Sequence, residues 1–275
     1  MHIAMVSALV MGGLGVLFAV GLAYAAQLFR VDADPRVELL ASALPGANCG
    51  GCGFSGCQGF AEALVKEEAP LNACRVCGHE ALAQVSSILG KETPVGITRQ
   101  VARVMCGGNR ESARWLARYE GAEDCRAAVA VGSSPKGCSR GCLGLGSCVK
   151  ACPFGAIQLG ADSLPVVNED KCTGCGVCAK ACPQGVVAVM DIDLPVLVRC
   201  NSHDRGRAVR DVCQVGCIAC KACEKACVQG AIRVVDNLAV VDAARCTGCG
   251  LCTEKCPTGC LATVGMPKVG EKLLA

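Results

Sequence analysis

Two runs of the sequence repeat the cysteine spacing C-x2-C-x2-C-x3-C-P, at residues 172–183 and 246–257. In such a run the first three thiolates bind one [4Fe-4S] cluster, and the fourth binds the cluster of a partner run. Neither run is complete alone, so each needs further cysteines upstream. The residue types and their spacing therefore indicate one-electron chemistry on paired iron–sulfur clusters.

The partner cysteines lie in an internal repeat that fills the C-terminal half. Its two copies are offset by 75 residues, or by 74 after a one-residue deletion. They differ at one ligand position, where the first copy has Leu145 and the second has Cys220. Cys138, four residues before Cys142, is the nearest substitute, and neighbouring glycines leave the loop free to bring it in. Cys227 is followed by Val228 instead of proline, which departs from the pattern. The predicted ligand sets are Cys138, Cys142, Cys148 and Cys182; Cys152, Cys172, Cys175 and Cys178; Cys217, Cys220, Cys223 and Cys256; and Cys227, Cys246, Cys249 and Cys252.

A separate group of cysteines precedes the repeat, with the spacing C-x2-C-x4-C-x16-C. Glycines in this stretch let the backbone turn its amides toward sulfur, which suits an anionic cluster. Four cysteines at such spacing also form structural zinc sites, and Cys77 is an alternative fourth ligand. The cross-paired sets of the repeat do not suit zinc, so we predict at least three [4Fe-4S] clusters, and five if every set is filled. The members of this first group are Cys49, Cys52, Cys57 and Cys74.

Six of the 26 cysteines remain outside these sets. Each can be a small buried thiol that packs like an apolar side chain. Because Cys125 and Cys138 have the same spacing as Cys200 and Cys213, a further site is the other possibility. The six are Cys77, Cys106, Cys125, Cys200, Cys213 and Cys260.

The N-terminal segment has no charged residue from Ile3 to Phe29. As a helix it would extend about 40 Å, more than the roughly 30 Å hydrocarbon core of a bilayer. A secretory signal is the alternative, but no Lys or Arg precedes the apolar run, and the run is longer than a signal requires. Arg30 and Arg36 follow the run, and this weak charge bias places the rest of the chain in the cytoplasm. We predict a single-pass anchor in the cell (inner) membrane, with the lipid bilayer as a partner.

The composition limits both the fold and the function. Aromatic residues make up only 3% of the chain, whereas glycines number 34, so clusters must supply folding free energy that a thin core lacks. The formal charge of +3 omits the anionic clusters, and no basic strip alternates with aromatic residues, which argues against nucleic acid. Gly12 and Gly15 lie inside the apolar span, so they do not form a dinucleotide site. We expect no catalytic residue for hydride chemistry.

Arginines recur between residues 97 and 119. Arg99 and Arg103 are four residues apart, and so are Arg110, Arg114 and Arg118, which is the spacing of one helix face. Such a face can simply be solvated. It can also bind an acidic soluble electron carrier, because complementary charge speeds encounter.

Together these patterns predict an α+β protein that is built from small modules behind one membrane helix. The second and third cluster-binding units are two tandem ferredoxin-like two-cluster modules. The expected segments are a transmembrane anchor at 1–29, an N-terminal 4Fe-4S domain at 30–93, a helical linker at 94–137, ferredoxin-like modules at 138–192 and 193–265, and a tail at 266–275.

The whole chain resembles the B subunit of the Rnf complex, a membrane-bound ion-translocating oxidoreductase. The resemblance rests on the apolar span, the first cysteine group, the stretch Gly141–Pro153 and the run from Cys172. It implies a subunit that relays electrons between soluble ferredoxin and partner subunits with flavin and NAD chemistry, coupled to Na⁺ or H⁺ movement. A membrane-anchored polyferredoxin of another reductase or hydrogenase complex is the alternative, and a zinc-stapled interaction protein is the third.

Overall fold

The computed structural model describes residues 2–29, 34–94, 96, 98–131 and 134–264. Arg30, Ile97 and the predicted tail at 266–275 lie outside these residues. The described part begins with one long helix, α1, at His2–Leu28. Its stretch Met5–Leu28 has a mean hydropathy of 2.2, and it is not buried against the rest of the chain. The helix has the length and composition of a membrane span. An exposed apolar surface of this size is unfavourable in water, which also favours that interpretation.

The N-terminal module, residues 34–93, is a small helical unit. It contains α2 at Pro35–Ala43, α3 at Cys57–Val65, a 3-10 turn at Leu71–Ala73 and α4 at His79–Leu89. Asp34 starts α2 by accepting the backbone amide of Arg36, with proline at the first helical position. The buried side chains that join the helices are Leu40, Leu44, Phe60, Leu64 and Val85.

The first module, residues 98–192, consists of two antiparallel strand pairs with short helices between them. One pair joins β1 to β4, with Val101 opposite Met190, and the other joins β2 to β3. The packed core mixes aliphatic side chains such as Val101 and Ile157 with cysteines. The elements are β1 at Gln100–Val104, α5 at Cys125–Ala130, α6 at Ser147–Lys150, β2 at Ile157–Leu159, β3 at Pro165–Val167, α7 at Val177–Ala181 and β4 at Val187–Asp191.

The expectation of a helical linker at 94–137 was wrong over residues 100–104, which form the edge strand β1. Val101 and Ala102 are fully buried there, and Arg103 is 6% exposed, so tertiary packing outweighs the four-residue spacing of the arginines. Because β1 pairs with β4, this segment is part of the first module. Its only helix among the described residues is α5, of six residues.

The second module, residues 193–264, repeats this plan. β5 pairs with β8, and β6 pairs with β7. Its core again combines aliphatic side chains, such as Val196 and Ile232, with cysteines. The elements are β5 at Val196–Val198, α8 at Gly206–Val212, α9 at Ala222–Ala226, β6 at Ile232–Val235, β7 at Leu238–Val241, α10 at Leu251–Glu254 and β8 at Leu261–Thr263. The described fold therefore mixes helix and strand, as the sequence predicted.

Candidate iron–sulfur cluster sites

Five cavities in the described residues are lined by cysteines, and each has at least four of them. The space around which each is built, including the part open to solvent, is between about 290 and 380 Å³, so the five are of similar size. Similar size and the same ligand chemistry indicate that all five hold the same kind of group. Four thiolates around one space are the usual ligands of a [4Fe-4S] cluster, so the residues fit that group.

The N-terminal cavity is lined by all four cysteines of the first group, Cys49, Cys52, Cys57 and Cys74. α3 begins at Cys57, and the Cys57 backbone amide donates to the Asn48 side-chain oxygen at 2.8 Å. Gly56 has φ +95°, and a β-carbon on it would come within 2.7 Å of the same oxygen. The loop is therefore folded around Asn48, which holds the first and third cysteines of the group near each other.

Cys77 lies next to Cys74 rather than apart from it. A hydrogen bond from Cys77 lowers the pKa of Cys74 to about 6, although burial acts in the opposite direction. The same hydrogen bond raises the pKa of Cys77. Cys74 is thus the better thiolate of the pair, which favours it as the fourth ligand.

One cavity of the first module brings together a complete predicted set, Cys152, Cys172, Cys175 and Cys178. Backbone amides reach these sulfurs: the Ala102 amide lies 3.3 Å from Cys172 Sγ, and the Ala156 amide lies 3.4 Å from Cys152 Sγ. Burial and neighbouring thiols raise the pKa of Cys178 to about 12. A group bound here must therefore replace protons on the cysteines, and the amides offset the negative charge.

The other cavity of the first module contains Cys125, where the sequence predicts Cys138. Its four cysteines are Cys125, Cys142, Cys148 and Cys182. The cause is a helix cap: Asp124 accepts the amides of Arg126 and Ala127 at 2.8 and 3.0 Å and so begins α5. Ser147 donates to the Asp124 carboxylate at 2.9 Å and accepts the Cys125 amide at 2.7 Å.

Cys125 is therefore fixed beside the start of α6, and Cys138 is not part of this cavity. Spacing favours Cys138 only because it is nearest to Cys142 along the chain. The sequence signal nearest to Cys125 is Asp124, a preferred N-cap residue, which indicates a helix start but does not indicate a cluster ligand.

The two cavities of the second module are lined by the remaining predicted sets, Cys217, Cys220, Cys223 and Cys256, and Cys227, Cys246, Cys249 and Cys252. Cys260 also lines the first of these two cavities, where it contacts Cys217. The Ala231 amide lies 3.3 Å from Cys227 Sγ and repeats the contact of Ala156 in the first module. Val228, in the place of proline, is 85% exposed. Its side chain is directed to solvent, so the missing proline leaves this contact in place.

The N-terminal cavity and the first module share a boundary. Cys175, which belongs to a set of the first module, also lines the N-terminal cavity. A β-carbon on Gly51 would lie 2.4 Å from the Cys175 carbonyl oxygen. Lys180 donates to the Gly51 carbonyl at 3.2 Å and so links the two modules again. These two cluster sites are therefore direct neighbours.

Three stretches of the chain match families of iron–sulfur domains. Residues 44–76 match the family described as "Putative Fe-S cluster", residues 165–188 match "4Fe-4S binding domain", and residues 216–260 match "4Fe-4S dicluster domain". The matches include the N-terminal cavity and parts of both later modules. They confirm the prediction that the chain binds several [4Fe-4S] clusters.

Known proteins are similar over nearly the whole chain. The B subunit of an ion-translocating oxidoreductase complex from Methanosarcina acetivorans is 47% identical over 90% of this chain and 94% of its own length. The B subunit of a proton-translocating ferredoxin:NAD⁺ oxidoreductase complex from Clostridium ljungdahlii is 46% identical over 93% and 90%. The B subunit of a Na⁺-translocating ferredoxin:NAD⁺ oxidoreductase complex from Acetobacterium woodii is 43% identical over 92% of this chain and 76% of its own length. The chain therefore belongs to the family of Rnf-type B subunits, the iron–sulfur electron-transfer subunits of ion-translocating oxidoreductase complexes.

Proposed function

We propose that this protein exchanges electrons with a soluble ferredoxin on the cytoplasmic side of the membrane and relays them toward the flavin and NAD subunits of its complex. The observation that carries the proposal is the position of Cys175, which lines the N-terminal cavity and belongs to a set of the first module. Neighbouring sites of this kind allow an electron to move along the chain without diffusion. A [4Fe-4S] cluster, when bound, supplies one-electron transfer.

The ligand sets in this proposal are the five groups of cysteines around the five cavities. They equal the sets expected from the sequence, with Cys125 in place of Cys138. The role of the chain is to hold each set in place, to limit access of water and to direct amides at the sulfurs. These contacts tune the reduction potential of whatever cluster the thiolates bind.

α1 is proposed to be a single-pass anchor in the lipid bilayer, with the cluster modules in the cytoplasm. Its support is the absence of charge over Met5–Leu28 and the exposure of that stretch. Free cysteines in such number also suit a reducing compartment. The relatives from C. ljungdahlii and A. woodii are named for protons and Na⁺, respectively, so we propose that electron flow through this protein is coupled to H⁺ or Na⁺ movement in the assembled complex.

The exposed arginines after β1 are proposed to bind ferredoxin, although they do not share a helix face. Arg110 stacks over the ring of Trp115, with 4.9 Å between its guanidinium carbon and the ring centroid. Arg114 is exposed, and Arg118 lies 3.7 Å from Glu120, with both side chains mostly in solvent. An exposed pair of this kind is weak, so Arg118 keeps its charge available to an acidic partner.

The experiment uses full-length protein, purified without oxygen in detergent and mixed with chemically reduced ferredoxin. We expect the visible absorption of the protein to bleach, and to bleach more slowly in the variant Arg114→Glu/Arg118→Glu at low ionic strength. Arg233→Glu/Arg245→Glu is the control, because it makes the same charge change on exposed arginines of the second module. Protein that dithionite bleaches but reduced ferredoxin does not would contradict ferredoxin as the partner. Equal rates in the two double variants would contradict the arginine surface alone.

A further inference from the structure

Once the five cavities have been assigned, six cysteines are without a role. Cys77 and Cys260 each contact a ligand of an assigned set: the Cys77 thiol is hydrogen-bonded to Cys74, and the Cys260 thiol is hydrogen-bonded to Cys217. The other four come from distant parts of the sequence and meet at the boundary between the first and second modules. They are Cys106, Cys138, Cys200 and Cys213.

The four cysteines are brought together by backbone hydrogen bonds between the segments that carry them. The amide of Gly107, next to Cys106, donates to the carbonyl of Arg199, next to Cys200, at 2.9 Å. Arg114 joins the other two: its amide donates to the Val212 carbonyl at 2.8 Å, and its carbonyl accepts the Gly137 amide at 2.8 Å.

Val212 and Gly137 directly precede Cys213 and Cys138, so one short extended segment brings these two cysteines near each other. Ala113 also forms a strand bridge with Cys213 itself.

The thiols are close enough to influence one another. Burial is the largest cause of the raised pKa of Cys138 and of Cys213. The thiols of Cys106 and Cys213 further raise the pKa of Cys138, and those of Cys106 and Cys200 further raise the pKa of Cys213. The thiol of Cys138 likewise adds to the effect of burial on the pKa of Cys200. Cys106 and Cys200 are each 8% exposed, so the group is shielded from water.

The arrangement is symmetric between the modules. Cys106 lies two residues after β1, and Cys200 lies two residues after β5, so the structure pairs them although the sequence offset pairs Cys200 with Cys125. The Cys142 amide donates to Cys106 Sγ at 3.4 Å. The amide of Cys217, the repeat counterpart of Cys142, donates to Cys200. Each module thus contributes one cysteine after its edge strand and one from the loop before its cluster run.

A buried lysine supplies positive charge beside these thiols. Lys136 is 2% exposed, and its ammonium lies 3.9 Å from Cys106 Sγ. It also donates to the Cys142 carbonyl at 3.1 Å. A β-carbon on Gly108 would be 3.1 Å from Cys213 Sγ and 3.5 Å from the Lys136 ammonium, so both groups lie against Gly108. A buried cation is costly unless an opposite charge lies beside it, so Lys136 favours a negatively charged group among these thiols.

We propose that Cys106, Cys138, Cys200 and Cys213 bind a sixth [4Fe-4S] cluster, with Lys136 as its counter-charge. The site would lie between the cavity that contains Cys142 and the cavity that contains Cys217, because each of those cysteines donates its amide to a thiol of the new set. It would join the first module to the second. The inference rests on one part of the proposed function, namely that the five other sites each bind a cluster.

The test is the iron and acid-labile sulfide content of full-length protein purified without oxygen. We expect about 24 iron and about 24 sulfide per chain with six clusters, against about 20 of each with five. The variant Cys106→Ala/Cys213→Ala should lose about four iron and about four sulfide. Ser86→Ala is the control, because it removes a small buried side chain that lines none of the five cavities and lies outside the new set, and its iron content should equal that of the wild type.

A wild-type content of about 20 iron and about 20 sulfide, unchanged in the double variant, would overturn the sixth cluster. About 21 iron with about 20 sulfide would overturn it as well, because it indicates a single iron ion held by the four thiolates. If the double variant does not fold, the wild-type count still decides. Protein with about 24 iron that ferredoxin does not reduce would instead contradict the proposed function and support the sixth site.

Discussion

Gly51 of the N-terminal module lies against the backbone of Cys175 in the first module, so closely that a β-carbon would come within 2.4 Å of the Cys175 carbonyl oxygen. Gly51 does not have the left-handed φ that favours glycine elsewhere in this loop. Only the contact itself therefore excludes a side chain. The contact sets how near the N-terminal site comes to its neighbour.

Gly51→Ala should separate the N-terminal module from the first module without emptying either site. The reason is steric, since backbone on both sides must move to admit the methyl group. We expect the magnetic coupling between reduced clusters, measured by electron paramagnetic resonance, to weaken at unchanged iron content. Gly78→Ala is the control, because a β-carbon there meets nothing within 4 Å. Coupling that is equal in both variants would show that Gly51 does not set the approach.

Cys125 and Cys138 should act at two different sites. Cys125→Ala and Cys138→Ala should each remove about four iron, and the double variant about eight, because each cysteine serves its own cluster. Iron analysis of the three proteins gives the answer. If the double variant loses only about four iron, both cysteines serve one cluster.

Two residues of the second module adopt a backbone conformation that the first module builds with glycine. Ala219 and Lys221 have φ of +55° and +60°, where the first copy has Gly144 and Gly146. Lys221→Gly should therefore stabilise the protein by about 1 kcal/mol, because a β-carbon is unfavourable there. The measurement is the denaturant midpoint of anaerobic protein. Lys225→Gly, inside α9, should have the opposite effect, with a loss of about 1 kcal/mol. A lower midpoint for Lys221→Gly would refute the proposed strain.

The ion pair between Arg103 and Glu169 should stabilise the first module. The Arg103 side chain is 7% exposed, and it also donates to the Ile192 carbonyl at 3.1 Å. Glu169→Gln should destabilise the module by about 1–3 kcal/mol, because it leaves a buried guanidinium without its carboxylate. Arg103→Met/Glu169→Gln should cost less than Glu169→Gln alone, since no buried charge then remains. Denaturant unfolding compares the three proteins, and a neutral single variant would rule this role out.

Deletion of residues 2–28 should release the protein from the membrane. The remaining chain has no other described helix that could cross a bilayer by length and composition. When the protein is produced without its partners, we expect the full chain in the membrane pellet and the truncated chain in the supernatant, with equal iron content. Truncated protein that stays in the pellet would contradict α1 as the anchor.

Spacing alone predicted most of the cysteine sets that line the cavities, because each run of cysteines is local and is folded by short turns. The sequence could not predict Cys125, since that residue reaches Cys148 through the Asp124 cap and the Ser147 hydroxyl, a contact between distant segments. It also predicted a helix where β1 forms. The four-residue spacing of arginines is a local signal, whereas β1 is determined by its pairing with β4.

The most direct test of the cluster assignment is an anomalous scattering map, recorded at the iron edge and the zinc edge, from crystals of the anaerobic full-length protein. We predict compact four-iron scattering in each of the five cysteine-lined cavities, with Cys125 rather than Cys138 beside Cys142, and a sixth peak beside Lys136. Zinc scattering in these cavities, or iron bound away from the named cysteines, would contradict the assignment.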